Sequence, residues 1–567
     1  MNAVHTQYPD FANPELLDKI PLTAKTILDV GCAQGALGGD YLRRNPACRV
    51  LGIEQDKVAG AHARERLTEV FVGDVEKDPM PFDVPEGIDC IIYGDVLEHL
   101  SDPWMVLKEH AKHLSPQGTV LVCMPNVEHW SFVARLLTGG FDYEDQGLFD
   151  RTHLRWFTPR TMARALVDAG LTLSDAAPRP IATDRAEQFT AMLTPALQAL
   201  GVDPQEYLNR SIPLQVIWRA RKTDVPRLEL SATMLAPQGG VSDVRVVEPL
   251  RALRTDSSIY SNIVVESGLR PQLGGTPRVA VLHRPLLLGE SGLARLRALL
   301  EQDYVVVSEF DDHPVFMEER GVNLAELLTF RGVHAVQTST PALADALLAD
   351  NPEVAVFPNA VFELPPVRNF SSVEHLTLFF GALNRQNDWA PLMPVLNEVA
   401  RAVGERLHFR VVFDEAFFNA LETPHKTFEP SMVDYANYMR ELGRAEISFM
   451  PLEDNPFNRA KSDLKFIEAG ASRVCALASR VVYGDSLQDG KTGVLFGSPA
   501  ELRSALLRLL AYLEATRRMA DLARAYVARQ RMLAYQVAAR AEWYRALWER
   551  RVELNEALKQ RVPELFT

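Results

Sequence analysis

The chain has 567 residues, 47% of them hydrophobic and 24% charged, with a net charge of −14. That length and balance describe a soluble globular protein of about three or four domains. They exclude the basic footprint of a nucleic-acid binder, and no apolar run reaches the roughly 18 residues of a membrane span.

The N-terminus, MNAVHTQYPDF, lacks the basic-then-apolar pattern of a signal peptide. Cys32, Cys48, Cys90, Cys123 and Cys475 are scattered and form no CxxC pair, which reads as buried free thiols in a reducing cytoplasm. The stretch KTILDVGCAQGALGGD (25–40) runs from an apolar strand pattern through Asp29, Gly31, Gly35, Gly38 and Gly39 into a helix pattern at 40–44. A buried strand, a glycine-rich turn and a helix start are how open α/β sheets bind nucleotides. Strand patterns at 26–30, 49–53, 69–72, 90–93, 118–123 and 213–219 alternate with helical ones such as 104–114. This alternation predicts a doubly wound parallel sheet.

Ligands in such sheets sit beyond the C-terminal strand ends, and acids cluster there. Glu54 ends GIEQD, Asp74 follows the third strand, and Asp95 opens DVLEHL. A carboxylate at the tip of the second strand can accept from both hydroxyls of a ribose diol. One after the third strand can meet an adenine amino group.

In that order DVGCAQG, GIEQD, GDVE and DVLEHLSDP resemble the motifs of class I S-adenosylmethionine-dependent methyltransferases, over roughly 25–170. MPNVEHW and GLFDRTHLRWFT resemble a branch of that family linked to cell-surface polysaccharide synthesis. The resemblance implies a Rossmann-like sheet with S-adenosylmethionine as cofactor. Asp29, Gly31, Ala33 and Gly35 would shape the methionine-side loop, Glu54 would hold the ribose, Asp74 and Val75 the adenine, and Asp95 would lie near the sulfonium. Ala33 stands where the family has its middle glycine, and it is strained if that position needs a positive φ.

Methyl transfer to a sugar hydroxyl needs a base or a metal, and histidine has a pKa suited to the base role. His153, crowded by Asp150, Arg151 and Arg155 after the TGGFDYEDQG loop, is the first candidate, His129 the second and His99 the third. No tight ligand spacing argues for a metal, and none is expected.

RKTDVPR (221–227) reads as a domain boundary. Strand–helix alternation restarts at 228–235, followed by Gly239-Gly240, a helix pattern at 244–253 and strands at 279–282, 305–309, 335–337 and 354–357. NAVFELPPVRN is a proline-rich connector. A third alternating unit begins with LTLFFGAL at Leu376 and continues with strands at 408–414, 447–451 and 474–478. Helical patterns at 500–515 and 518–558 follow.

SEFDDHP, VQTSTPALADAL, VAVFPNAV, FFGAL and FNRAKSDLKFIEAGASRVCALAS…YGDSLQDGKTGVLF resemble two-domain GT-B glycosyltransferases that use nucleotide-sugar donors, over roughly 228–510. A helix over 461–470 would put Lys461 and Lys465 on one face. Beside its N-terminus they would cradle a diphosphate without a metal, and Glu468 would accept from a ribose. Gly381 and Arg385 complete the expected donor site. Ala382, Asn387 and Ala460 stand where the group carries charged residues. Gly239, Gly240, Asp311, Asp312 and His313 fall on the acceptor side.

The expected fold is α/β: a Rossmann-like methyltransferase sheet at 1–222, GT-B acceptor and donor domains at 223–373 and 374–535, and a C-terminal helix at 536–567. The expected function is O-methylation of a sugar hydroxyl plus glycosyl transfer from a nucleotide-sugar donor. Its alternative is a methyltransferase fused to a non-catalytic glycan-binding module. The acceptor would be a glycan or lipid-linked glycan. The site of action would be the cytoplasm, with peripheral association at the inner face of the membrane as an option. Oligomeric state is open.

Overall fold

The computed structural model describes residues 10–180, 182–234, 240–265, 268–319, 321–368, 375–430 and 434–567. The chain falls into two compact units, Met1–Pro226 with Arg254–Ser258, and Arg227–Leu253 with Ile259–Thr567. All five cysteines are buried and free. Among the described residues no helix is long and apolar enough to cross a membrane.

Unit 1 contains β1 (Thr26–Val30), β2 (Arg49–Glu54), β3 (Glu69–Val72), β4 (Ile88–Gly94), β5 (Leu114–Pro125), β6 (Thr172–Pro180) and β7 (Pro213–Arg221). They form one sheet in the order β3-β2-β1-β4-β5-β7-β6. β1 carries Ile27, Leu28 and Val30 and is buried on both faces, the signature of a central parallel strand. It pairs in parallel with both β2 and β4, so the winding reverses between β1 and β4. That switch point is where an open α/β sheet leaves a crevice.

The sheet is mixed rather than wholly parallel. β7 runs antiparallel to both β5 and β6. β6 has no counterpart in the sequence reading, because TLSDAAPRP is polar and holds two prolines. An edge strand tolerates both. The helix after β1, Ala36–Arg44, starts directly after Gly35 and therefore takes in Gly38 and Gly39, four residues earlier than the sequence suggests. A Cβ on Gly38 would lie 2.5 Å from Leu67 and 2.8 Å from Val50, so the missing side chain lets this helix lie against β2. The helix expected over 104–114 is Pro103–Ala111, capped by the Asp102 side chain, and Leu114 already belongs to β5.

The segment Arg254–Ser258 belongs to unit 1. Arg219 Nη1 donates to the Arg254 and Thr255 carbonyls at 3.2 and 3.1 Å. Arg221 Nη1 pairs with Asp256 at 2.8 Å, and the Leu22 N–H donates to Thr255 Oγ1 at 2.9 Å.

Unit 2 holds two six-stranded sheets. The first contains β8 (Leu228–Met234), β9 (Ile259–Val265), β10 (Arg278–His283), β11 (Val305–Glu309), β12 (Ala335–Thr338) and β13 (Val354–Val356). The second contains β14 (Leu376–Gly381), β15 (Leu407–Val412), β16 (Lys426–Glu429), β17 (Ile447–Met450), β18 (Cys475–Ser479) and β19 (Gly493–Phe496). Their orders are β13-β12-β11-β10-β8-β9 and β16-β15-β14-β17-β18-β19, all parallel, with switch points between β10 and β8 and between β14 and β17.

The first sheet encloses a buried ion pair. Arg245 Nε lies 2.7 Å from Glu309 Oε1, with both side chains essentially inaccessible. Arg245 Nη1 donates to the Phe357 carbonyl and to Asn359 Oδ1 at 2.7 and 2.8 Å. Further hydrogen bonds make such a buried pair tolerable. The helix pattern at 244–253 is a π-turn, Asp243–Val247, followed by the helix Glu248–Leu253. The helical C-terminus is three helices, Leu513–Gln530, Val537–Glu549 and Arg551–Arg561, rather than one run over 518–558. Leu558, Val562 and Leu565 join the core of the first sheet with Leu296 and Val306.

Candidate functional sites

At the switch point of unit 1 the backbone turns sharply. Gly31 has φ +68, and a Cβ on it would fall 2.5 Å from Val96 Cγ2. Ala33 has φ +48, so the position does need the left-handed region, at about 1 kcal/mol for a side-chain-bearing residue. The Ala33 N–H donates to Glu54 Oε2 at 2.8 Å, and the Asp56 N–H donates to Glu54 Oε1 at 2.8 Å. The buried Glu54 carboxylate thus ties the glycine loop to the turn after β2. Burial and then the nearby Glu54 push the Asp29 carboxyl up to about 7. Gly35 has φ +78 and caps the helix Ala36–Arg44.

Asp74, after β3, accepts from the Glu76 N–H at 3.0 Å and pairs with Lys77. Val75 packs partly buried against the core. Asp95, at φ +55 after β4, accepts from Gln215 Nε2 at 2.5 Å. The donor set suits S-adenosylmethionine. Carboxylates at adjacent strand tips match a ribose diol and a cationic end, and the start of the helix Ala36–Arg44 offers backbone N–H groups.

Beyond Asp95 the turn Leu97–His99 carries a second arrangement. Glu98 is 2% exposed, and neither carboxylate oxygen has a hydrogen-bond partner. Burial and the neighbouring Asp95 hold its carboxyl well above the usual range. The Leu154 and Arg155 N–H groups donate to the Glu98 carbonyl at 2.8 and 3.0 Å. This staples the GLFDRTHLRW segment onto the turn and sets the His153 ring edge-on to His99, centroids 4.8 Å apart. Ligand atoms of Glu98, His99 and His153 all lie within 4.8 Å of one another.

His129 does not join this cluster. It is buried at the N-cap of the helix Trp130–Leu137, with Nδ1 2.8 Å from Ser131 Oγ. The charged neighbours of His153 are engaged elsewhere: Asp150 accepts from Thr152, Arg151 pairs with Asp145, and Arg155 donates to the Ser101 carbonyl. On sequence alone His99 ranks third and Glu98 carries no role. The adjacent Glu-His pair at a strand end was the available signal.

In unit 2 a cavity of ≈ 310 Å³ is lined by Arg284, Asp311, Gly381, Lys461, Lys465 and Glu468, with Gly240 and Arg385 also at its wall. Arg284, Asp311 and Gly381 end or follow strands of the two sheets, while Lys465 and Glu468 stand on the helix Leu464–Ala471 and Lys461 on the turn before it. The expected helix over 461–470 begins only at Leu464. Asp463 is held by Arg531, Nη2 to Oδ1 2.7 Å, which ends the preceding turn outside the helix. Lys461 and Lys465 therefore do not share a helix face. Lys461 pairs with Asp312 and lies 4.3 Å from the Phe457 ring centre. Lys465 donates to the Gly381 carbonyl at 2.6 Å and to the Tyr438 hydroxyl at 3.2 Å.

Arg284 pairs with Asp311 at 2.6 Å and Asp312 at 2.9 Å. Arg385 donates to Asn458 at 2.9 Å and pairs with Asp388 at 3.2 Å. Glu468 accepts from the Tyr435 hydroxyl at 3.0 Å, and burial pushes its carboxyl up to about 7. His313 Nδ1 accepts from the Val315 N–H at 3.2 Å. The Gly240 N–H donates to Asp243 at 3.0 Å, while Gly239 lies outside the described residues. Tyr435, Tyr438 and Arg284 had no sequence signal, because each reaches the cavity through tertiary packing.

The family model described as a methyltransferase domain, Methyltransf_23, matches residues 6–175. The N-terminal region is a methyltransferase domain. A ubiquinone biosynthesis O-methyltransferase of Aeromonas salmonicida is 28% identical over 172 residues, covering 29% of this chain and 71% of that protein. A probable S-adenosylmethionine-dependent methyltransferase of Mycolicibacterium smegmatis is 32% identical over 104 residues, 18% of this chain and 38% of that protein. Among solved structures, a putative methyltransferase of Bacillus halodurans is 16% identical over 37% of this chain and 98% of its own, with a TM-score of 0.26. S. aureus TarM is 11% identical over 47% of this chain and 55% of its own, with a TM-score of 0.37. The methyltransferase domain includes the glycine loop, Glu54, Asp95 and the Glu98–His99–His153 cluster. The backbone-tied Glu54 carboxylate and the helix start after Gly35 suit S-adenosylmethionine, the cofactor that the name of the Mycolicibacterium smegmatis relative carries.

Proposed function

We propose that the chain is a bifunctional enzyme of cell-surface glycan assembly. The methyltransferase domain moves the methyl group of S-adenosylmethionine onto a sugar hydroxyl. Unit 2 transfers a sugar from a nucleotide donor to a glycan or lipid-linked glycan. The observation that carries this reading is the pairing, in one chain, of a switch point carrying Asp29, Glu54 and Asp95 with a cavity walled by Lys461, Lys465 and Glu468. Acids at strand tips suit a ribose and a cationic methionine end. Lysines with a carboxyl group suit a nucleoside diphosphate. Hydroxyl activation falls to the Glu98–His99–His153 cluster, beside Asp95.

A second reading, a methyltransferase fused to a non-catalytic glycan-binding module, is favoured by the pairing of Lys461 with Asp312 and of Arg385 with Asp388. Calorimetry on the full chain separates the two. The first reading expects binding of S-adenosylhomocysteine and of a nucleoside diphosphate. It expects Glu54→Ala to lose only the former and Lys465→Ala only the latter, each by at least about 100-fold, roughly 3 kcal/mol. No nucleoside diphosphate binding leaves the second reading. Loss of both ligands from either variant, with the circular dichroism unchanged, refutes independent sites.

A further inference from the structure

The cluster of Glu98, His99 and His153 is built for more than proton transfer. We propose that these three side chains bind one divalent transition-metal ion, of the Mn²⁺ or Zn²⁺ type, at the acceptor side of the methyltransferase domain. The inference rests on the methyltransferase reading for its purpose, but its evidence is separate. A buried carboxylate without a partner is costly, and a cation is its natural complement. Glu98 is such a group, 2% exposed with both oxygens unpartnered.

The imidazoles are set up as ligands. His99 Nδ1 lies 3.3 Å from the Thr152 carbonyl and 3.0 Å from its hydroxyl, and the His153 ring stands edge-on to it with centroids 4.8 Å apart. A backbone carbonyl on one ring nitrogen fixes the tautomer that presents the other as a lone pair. The three ligand atoms already lie within 4.8 Å of one another. Around one ion at about 2.1 Å they would stand about 3–3.5 Å apart, so the site closes by an ångström or so.

Two imidazoles and one carboxylate leave coordination positions open. An ion there lowers the pKa of a hydroxyl oxygen that it binds. The O–H proton then leaves to buffer, the oxygen attacks the methyl carbon, and the sulfur keeps the electrons of the broken S–C bond as the thioether S-adenosylhomocysteine. His153 becomes a ligand in place of the base suggested by sequence.

The test uses the full chain stripped with EDTA. Mn²⁺ is titrated by the loss of its free EPR signal, with Zn²⁺ as competitor, and S-adenosylhomocysteine binding is measured in parallel. The parent should bind one equivalent. Glu98→Gln, close in shape, and His153→Gln should each weaken binding by at least about 100-fold while holding S-adenosylhomocysteine affinity within about twofold. Failure of the parent to bind either metal, or Glu98→Gln binding as tightly as the parent, overturns the proposal. Absence of S-adenosylhomocysteine binding with metal binding intact would instead overturn the methyltransferase reading and leave the metal site standing.

Discussion

In the methyltransferase domain the carboxylate at the tip of β2 is held by backbone: Glu54 accepts the N–H groups of Ala33 and Asp56 at 2.8 Å each. In unit 2 several charged side chains are held by other charges: Lys461 by Asp312, Arg284 by Asp311 and Asp312, and Arg245 by Glu309. Backbone donors cannot be displaced by an incoming ligand without unfolding the loop. Side-chain ion pairs can exchange partners. The first site is therefore set before a ligand arrives, whereas under the proposed donor role Lys461 would exchange Asp312 for a diphosphate.

Four substitutions break or sharpen that contrast. The largest effect is expected from Glu309→Gln, which leaves the inaccessible Arg245 guanidinium without its full counter-charge. The cost should be about 3–5 kcal/mol in denaturant unfolding; a change under ~1 kcal/mol would show that unit 2 does not depend on its side-chain pairs.

Next is Asp29→Asn. Burial raises the folded-state carboxyl from 3.8 to about 7. In that window the folded state holds more protons than the unfolded one, so the parent loses stability as pH rises. The variant should be more stable by on the order of 4 kcal/mol above pH 7. The advantage should vanish near pH 4. Melts at pH 4.5 and pH 8 with equal offsets would refute it.

Asp312→Asn releases Lys461 and should raise nucleoside diphosphate affinity about tenfold, roughly 1.4 kcal/mol. Unchanged or weaker binding in calorimetry would mean that the pair is not exchanged for phosphate. The smallest effect belongs to Ala33→Gly. Relief of the φ +48 conformation, less the entropy of the added glycine, should stabilise by roughly 0.5–1 kcal/mol, read as a rise in melting temperature.

The central strands were legible because each is a short apolar run ending in a glycine or an acid, as in ILDVG and IIYGD. β6 was not, since a half-exposed edge with two prolines has no apolar run to read. The start of the helix at Leu464 was misread because what claims Asp463 is Arg531, 68 positions away. The residues named for the first site lie in segments that carry their own turn chemistry, and two of them, Ala33 and Glu54, meet through a backbone hydrogen bond at the switch point. The Glu98–His99–His153 cluster depends on two backbone hydrogen bonds from residues 154 and 155 to the Glu98 carbonyl. No spacing rule encodes that staple.

The first unit is not simply the opening portion of the polypeptide. Arg219, 3% exposed, relies on the carbonyls of Arg254 and Thr255, and Arg221 relies on Asp256. A chain ended after Pro226 would strip those acceptors from two largely buried guanidinium groups. Anyone wishing to study methyl transfer alone should therefore graft 254–258 back by a linker, or expect a fragment prone to aggregate.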